Sequence, residues 1–280
     1  MAKAKLCSSP TRYHGGKNYL APWIRSFFPA HLRYCEPYFG GGSVLFASDG
    51  VGVAEYVNDL DWGLINFWKV LADPLSFKKF KRQIEATPFS TYEFEAAACS
   101  FEPKTSWSVP HAVWFFIRNR QSRQGLGEDF ATPTSRLRRN MNENVSAWLS
   151  SVAGLPEVHA RLQRVEIRNT RAIAFIASLD SADTLFYCDP PYLGVTRTAK
   201  KVYRHEMTEK NHSRLLTCLG GIKGKFLLSG YDSLLYRTAA AEYGWYSVRK
   251  QIDNKSSSKK VKDVKTECLW MNFEPEVRRA

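Results

Sequence analysis

Acidic residues are outnumbered in this 280-residue chain: 27 Asp and Glu face 40 Lys and Arg, leaving a net charge of +13. The resulting sequence pI of about 9.5 points to a polyanionic partner, most simply nucleic acid. The six cysteines (Cys7, Cys35, Cys99, Cys188, Cys218 and Cys268) lack C-x-x-C spacing and partner histidines. That excludes the usual zinc-site patterns and favours reduced, buried thiols. No apolar run reaches the ~18 residues of a membrane span, and no secretory n-region and h-region is present. A soluble cytoplasmic protein is expected, bacterial or acting in a host cytoplasm. Internal repeats are absent. So are the dinucleotide fingerprint G-x-G-x-x-G and a Walker lysine, which argues against pyrophosphate binding.

What is present converges on one corner. Thr184-Leu185-Phe186-Tyr187-Cys188 reads as a short, fully buried strand, and Asp189-Pro190-Pro191-Tyr192 follows it. Neither proline donates a backbone N–H, and each fixes φ near −65°. The chain therefore turns stiffly there, presenting a carboxylate, free proline carbonyls and a flat ring.

Upstream, Arg33–Glu36 reads as a strand, Phe39-Gly40-Gly41-Gly42 as a tight turn, and the segment from Ser43 as a helix with Ser43 as N-cap. A strand–glycine turn–helix unit presents bare main chain to a nucleotide-like ligand. A second strand, Val51–Asp59, ends in an acid, the position from which doubly wound folds bind ribose hydroxyls. Asp61 competes for that role, or caps the helix Leu64–Leu71. Before both, Tyr13-His14-Gly15-Gly16-Lys17 lets backbone approach a ligand and adds a point charge; a solvated turn is the competing reading.

From Asp73 to Trp148 the alternation of strand and helix stops. Phe77–Ile84, Thr91–Ala98 and Ala112–Arg120 read as helices, following a helix at Leu20–Phe28. Basic residues then gather: Arg118, Arg120, Arg123, Arg136, Arg138 and Arg139 stand against Glu128 and Asp129, a local balance of +4 (six minus two). Gly125, Gly127 and Thr132–Thr134 mark a mobile loop between the two clusters. Interleaved Asn119, Gln121, Gln124, Asn140 and Asn142 would supply base-edge donors beside the phosphate-binding arginines, with a solvated basic face as the alternative. Strands and helices then alternate again: strands at Arg164–Arg168 and Lys225–Ser229, helices at Arg171–Leu179, Thr208–Leu219 and Ser233–Tyr243. Two closing strands, Trp245–Ile252 and Thr266–Phe273, flank Lys255, Lys259, Lys260 and Lys262 in a Ser-rich loop suited to a phosphate backbone.

Taken in order, Tyr13–Lys17, Pro37–Ser43, Asp189–Tyr192, Val202–Thr208, Leu228–Tyr231 and Lys265–Asn272 resemble the Dam-type DNA adenine-N6 methyltransferases. The order glycine turn, insertion, then DPPY is similar to their alpha group, and the motifs look most like phage and prophage members. The resemblance implies an α/β fold: a Rossmann-like, S-adenosylmethionine-dependent methyltransferase sheet (residues 1–72 and 150–280) with an inserted, mainly helical target-recognition domain (residues 73–149). It implies no metal, double-stranded DNA as partner, and a monomer in solution that pairs, if at all, on DNA. Asp189 and the Pro190 carbonyl would accept the hydrogens of the adenine amine while Tyr192 stacks on the flipped base. Tyr13, Lys17, Phe39, Gly40, Asp59 and Asp189 would hold the cofactor. Cytosine-N4 methylation and a catalytically inactive DNA-binding relative are the alternatives, and the target sequence cannot be transferred.

Overall fold

The computed structural model of the chain describes residues 6–13, 15–97, 107–194, 205–253 and 264–276. Several sequence readings fall outside them: His14, Ala98, Cys99, the Val202–Arg204 part of the quoted stretch, and Lys255, Lys259, Lys260 and Lys262.

In chain order the first elements are α1 (Ala21–Arg25), β1 (Arg33–Glu36), α2 (Ser43–Phe46), β2 (Ala54–Asn58) and α3 (Trp62–Ala72). A helical run follows: α4 (Pro74–Glu85), α5 (Thr91–Ala96) and α6 (Val109–Gln121). A small hairpin, β3 (Leu137–Arg138) and β4 (Met141–Asn142), leads to α7 (Glu143–Ala153) and α8 (Leu155–Leu162). The rest alternates: β5 (Val165–Arg168), α9 (Ala172–Leu179), β6 (Thr184–Cys188), α10 (Glu209–Gly220), β7 (Lys225–Tyr231), α11 (Leu234–Tyr243), β8 (Tyr246–Asp253) and β9 (Val264–Met271).

The chain divides into two compact units. One comprises Met1–Pro22, Phe39–Val51 and Asp59–Asn169; the other comprises Trp23–Tyr38, Gly52–Asn58 and Thr170–Ala280. The helices expected of an insertion therefore share a unit with the glycine turn. The expected boundary after residue 149 falls inside α7, a continuous helix.

Six strands of the second unit order as β2-β1-β6-β7-β9-β8. The first four run parallel, and β9 and β8 are antiparallel. Parallel strands buried on both faces read as continuous apolar runs rather than alternating ones, and every residue of β6 is buried. Phe175, Ile176, Leu179, Leu215, Leu216 and Leu219 from α9 and α10 pack with Phe186, Phe226 and Trp270 of the strands. In the first unit, Phe67, Trp68, Phe80, Phe116 and Trp148 are fully buried, and Phe67 meets Phe116 face to face with ring centroids 5.7 Å apart.

Three local expectations change. Ser43 is the first residue of α2 rather than its cap, because Gly42 takes the cap position at φ 67°, closed to most side chains. The helix read over Leu20–Phe28 keeps only Ala21–Arg25. Its last turn tightens, Phe27 N–H bonding to Ile24 O (3.2 Å) and Phe28 N–H to Arg25 O (3.0 Å), before Pro29 stops it. The segment read as a mobile loop is closed by backbone hydrogen bonds, from Arg123 N–H to Asp129 O (2.9 Å) and from Ala131 N–H to Gln121 O (2.8 Å). Helices α7 and α8 went unread; α7 opens on the polar run Asn142-Glu143-Asn144.

Candidate active site

The first unit builds a braced glycine turn. Gly40 has φ 49°, and a Cβ there would stand 2.9 Å from Tyr13 Cε1. On Gly41 it would stand 2.8 Å from Tyr13 Cβ. The Tyr13 side chain thus lies directly on the turn, which only glycine permits. Asp59 holds the turn from its other side: Oδ2 accepts the Gly40 N–H (2.9 Å) and Oδ1 accepts the Asp61 N–H (3.0 Å). Asn169 donates to the Asp59 carbonyl at 2.7 Å, and Trp68 Nε1 donates to the Gly40 carbonyl at 3.1 Å. Burial pushes the Asp59 carboxyl up to about 6, against the lowering effect of the Asp61 and Gly40 N–H groups.

The two competing acids have separate tasks. Asp61 caps α3, accepting from the N–H groups of Gly63 (2.8 Å) and Leu64 (3.3 Å), while Asp59 braces the turn. Phe39 is buried beneath, its ring 5.2 Å from Trp68 and 6.2 Å from Phe46 between centroids. Lys17 is only 7% exposed, and its Nζ donates to Gly15 O at 3.0 Å.

One residue ties this loop to the helical run. Asn119 Oδ1 accepts the Arg12 N–H (2.8 Å), and its Nδ2 donates to Arg12 O (2.7 Å) and Gly125 O (3.2 Å). Gly125 is pressed so closely on Arg12 that an added Cβ would stand 2.2 Å from the Arg12 carbonyl oxygen. Asn119 was read from the sequence as a base-edge donor, and its donors are committed to backbone here. The same holds for Gln121, which donates to Pro88 O (2.9 Å) and accepts from Ser90 N–H (3.1 Å). Asn142 caps α7 through the Asn144 N–H (2.9 Å).

The arginines divide likewise. Arg118 donates to the carbonyls of Phe94 (3.3 Å) and Gly127, its guanidinium 3.9 Å from the Phe94 ring centroid. Arg120 donates to Ala147 O (2.7 Å), and burial, with the nearby charge of Arg12, lowers its guanidinium to about 9. Arg123, Arg136, Arg138 and Arg139 are exposed. The last three lie on or beside the β3–β4 hairpin, whose turn residues Arg139 and Asn140 have φ 55° and 59°. Arg136 lies 4.0 Å from Glu143, and Arg139 donates to Ser150 Oγ.

The second unit presents the corner. Strand β6 ends at Cys188, and Asp189 stands at its tip, partly buried, followed by buried Pro190. Tyr187, inside the strand, shares a hydrogen bond with Ser229 on β7 (3.0 Å between oxygens). Tyr192 is 8% exposed, and its hydroxyl donates to Glu267 Oε1. Its ring meets Tyr231 edge-on, centroids 4.8 Å apart at 80°. Burial, then the carboxylates of Glu267 and Asp189, raise the Tyr192 phenol well above its usual value. Glu267 and Tyr231 were not singled out from the sequence; each stands in a stretch quoted for the resemblance, but nothing local marks either as a partner of Tyr192.

Among the described residues, no group of three His, Cys, Asp or Glu is placed to hold a metal ion, and no helix is long and apolar enough to cross a membrane. No curated protein matches the chain. A family model described as D12 class N6 adenine-specific DNA methyltransferase matches residues 13–97 and 147–254. Those blocks contain the Tyr13 loop, the glycine turn, Asp59 and the Asp189 corner, and cover well over half of the chain. The chain therefore belongs to the D12 class N6 adenine-specific DNA methyltransferases.

Proposed function

We propose that this enzyme transfers a methyl group from S-adenosylmethionine to the N6 amine of an adenine flipped out of double-stranded DNA. The observation carrying the reading is the corner itself: a carboxylate and a proline carbonyl at the end of a buried strand, beside a ring pinned at its hydroxyl. The adenine amine is a weak nucleophile because its lone pair is delocalised into the ring. Asp189 and the Pro190 carbonyl are assigned as acceptors for its two N–H bonds, which turns the lone pair outward. Tyr192 offers its face to the extruded base, an interaction of ~1–3 kcal/mol set against the few kcal/mol that flipping costs.

S-adenosylmethionine, when bound, would supply an electrophilic methyl group on a sulfonium; as the N–C bond forms the C–S bond breaks, the sulfur departs as a neutral thioether, and the amine loses one proton to solvent. The first unit's residues suit such a group. The glycine turn has no side chain to obstruct an adenosyl moiety, and a Cβ on Gly40 or Gly41 would displace Tyr13. Asp59 is the acid assigned to ribose hydroxyls; its two carboxylate oxygens offer about four acceptor positions, more than the N–H groups of Gly40, Leu60 and Asp61 occupy. Tyr13, Lys17 and Phe39 are assigned to the methionine end, and the resemblance assigns Asp189 to the cofactor as well. The protein's contribution is alignment and fixed dipoles.

For DNA, exposed Arg123, Arg136, Arg138 and Arg139 are assigned to phosphates. Arg118 and Arg120, which donate to main-chain carbonyls, are assigned to hold the segment that carries them. Support for residues 73–149 as a target-recognition region comes from the break in the family match over 98–146, which spans these arginines. We place the enzyme in the cytoplasm as a monomer, and the finer Dam-type, phage-like grouping rests on the motifs. The family match favours neither cytosine-N4 transfer nor an inactive relative.

The test is incubation with labelled S-adenosylmethionine and unmethylated plasmid DNA, digestion to nucleosides, and sequencing of the modified sites. Labelled N6-methyladenine is expected, abolished by Asp189→Ala in a folded protein. Label in N4-methylcytosine, or none despite cofactor binding, would overturn the reading.

A further inference from the structure

Pro190 and Pro191 hold φ at the two residues before Tyr192, and its ring turns on two side-chain torsions. Both are restrained from neighbouring strands. Glu267 on β9 takes the hydroxyl, and Tyr231 on β7 meets the ring edge. These two residues are direct partners in the β7–β9 register, and directly opposed residues of an antiparallel pair share one face of the sheet. The ring is thus gripped at its far end and its edge by one cross-strand pair. Glu267 is only 2% exposed, and a buried carboxylate is costly unless it is hydrogen-bonded, so an acid is not the default residue for an inner position of β9.

We propose that Glu267 is a positioning residue for methyl transfer: through the Tyr192 hydroxyl it fixes the plane of the ring against which the flipped base rests. This rests on the reading of Tyr192 as the stacking residue. Glu267 touches neither the base nor the cofactor in this role. It acts before chemistry by removing the ring rotation that would let the base, and its amine, wander from the line of attack. Misplacement of about 1 Å costs on the order of 10²-fold in rate.

The experiment uses the full chain and a duplex carrying the methylated sequence mapped from plasmid DNA, with 2-aminopurine at the target adenine for fluorescence. Single-turnover rates at saturating S-adenosylmethionine, cofactor affinity and the fluorescence change are measured for Glu267→Ala, Glu267→Gln, Tyr192→Phe and Tyr192→Ala. Glu267→Ala is expected to slow the single turnover about 10–100-fold and alter the fluorescence change, with cofactor affinity unchanged. Glu267→Gln, which still accepts the phenol proton, should recover most of the rate. Tyr192→Phe, which loses the same bond, should resemble Glu267→Ala. Should Glu267→Ala fail to fold, a wild-type rate and signal in Tyr192→Phe would overturn the proposal, as would equal slowing by Glu267→Gln and Glu267→Ala. A wild-type rate in Glu267→Ala beside an inactive Tyr192→Ala defeats the positioning role alone. Full activity in Tyr192→Ala defeats the stacking assignment beneath it.

Discussion

Replacing Asn119 by alanine tests whether the Tyr13 loop is held in place by a side chain remote from it in sequence. The change removes three hydrogen bonds, to Arg12 N–H (2.8 Å), Arg12 O (2.7 Å) and Gly125 O (3.2 Å). Each group left unpaired costs ~1–3 kcal/mol when buried, and less where water can reach it. Asn119 is buried and Arg12 half-buried, so a total of about 2–4 kcal/mol is reasonable. At roughly 2–4 °C per kcal/mol for a chain of this size, the melting temperature should fall by about 5–15 °C. The fold should survive, since domain stabilities are typically ~5–15 kcal/mol. The more telling effect is on the cofactor. With Tyr13 assigned to the cofactor, releasing Arg12 should leave Tyr13 to be re-ordered on binding, at ~1–2 kcal/mol for each residue fixed, or about tenfold in affinity per 1.4 kcal/mol. Calorimetric titration with S-adenosylmethionine, below the melting range of the variant, separates affinity from stability. Asn119→Asp keeps an acceptor for the Arg12 N–H but sets a carboxylate against two carbonyls, so it should rescue neither property. An Asn119→Ala protein that melts within about 2 °C of wild type and binds cofactor equally would refute the reasoning.

Asp59 gives a pH signature. Its carboxyl is raised from 3.8 to about 6 in the fold, so the folded state holds a proton more tightly than the unfolded chain. This group's contribution is greatest below the unfolded value and is lost as pH rises through about 4 to 6, by ~3 kcal/mol at 1.36 kcal/mol per pH unit. Asp59→Asn should therefore gain stability relative to wild type between pH 4 and pH 7 in urea titrations; a pH-independent difference contradicts the assignment. Gly40→Ala forces φ 49° on a residue with a side chain and drives a methyl to 2.9 Å from the Tyr13 ring. A cost of ~2–4 kcal/mol is expected from overpacking plus left-handed strain, with cofactor affinity falling and DNA affinity unchanged. Equal losses of both would indicate general unfolding. Arg136, Arg138 and Arg139 changed together to Ala should flatten the slope of log affinity against log salt by up to ~2.7, at about 0.9 per lost phosphate contact; an unchanged slope would return them to a solvated surface.

The parts that could be read along the chain were those whose physics is local. The buried run Thr184–Cys188 announces a parallel-sheet strand, and the prolines after it can only stop it. Thr208 and Ser233, read at the starts of their helices, accept from Asn211 N–H and Tyr236 N–H at 3.3 Å each. Asp61 caps α3, the humbler of its two readings. Less was legible where a residue's partner is far away. The arginine and amide segment read as a nucleic-acid surface or a solvated basic face, because composition is blind to direction. Folded, Asn119 and Gln121 turn inward to satisfy backbone, Arg118 and Arg120 bind carbonyls, and the hairpin arginines stay in water.

By itself the sequence determined the alternation of strand and helix, the glycine turn, the stiff acid-tipped corner and the excess of positive charge. These follow from steric limits at Gly and Pro, from the apolar run and from counting charges. Tertiary structure alone decided which amides bind distant main chain: buried Asn66 exchanges hydrogen bonds with Ser108 (2.9 and 2.7 Å), and half-buried Asn272 with Gly224 and Phe226 (2.9 and 3.0 Å). It decided that Asp59 braces the glycine turn and that Glu267 takes the Tyr192 hydroxyl. A hydrogen bond is a matter of ångströms in space, and residues 75 apart in sequence carry no local sign that they will meet.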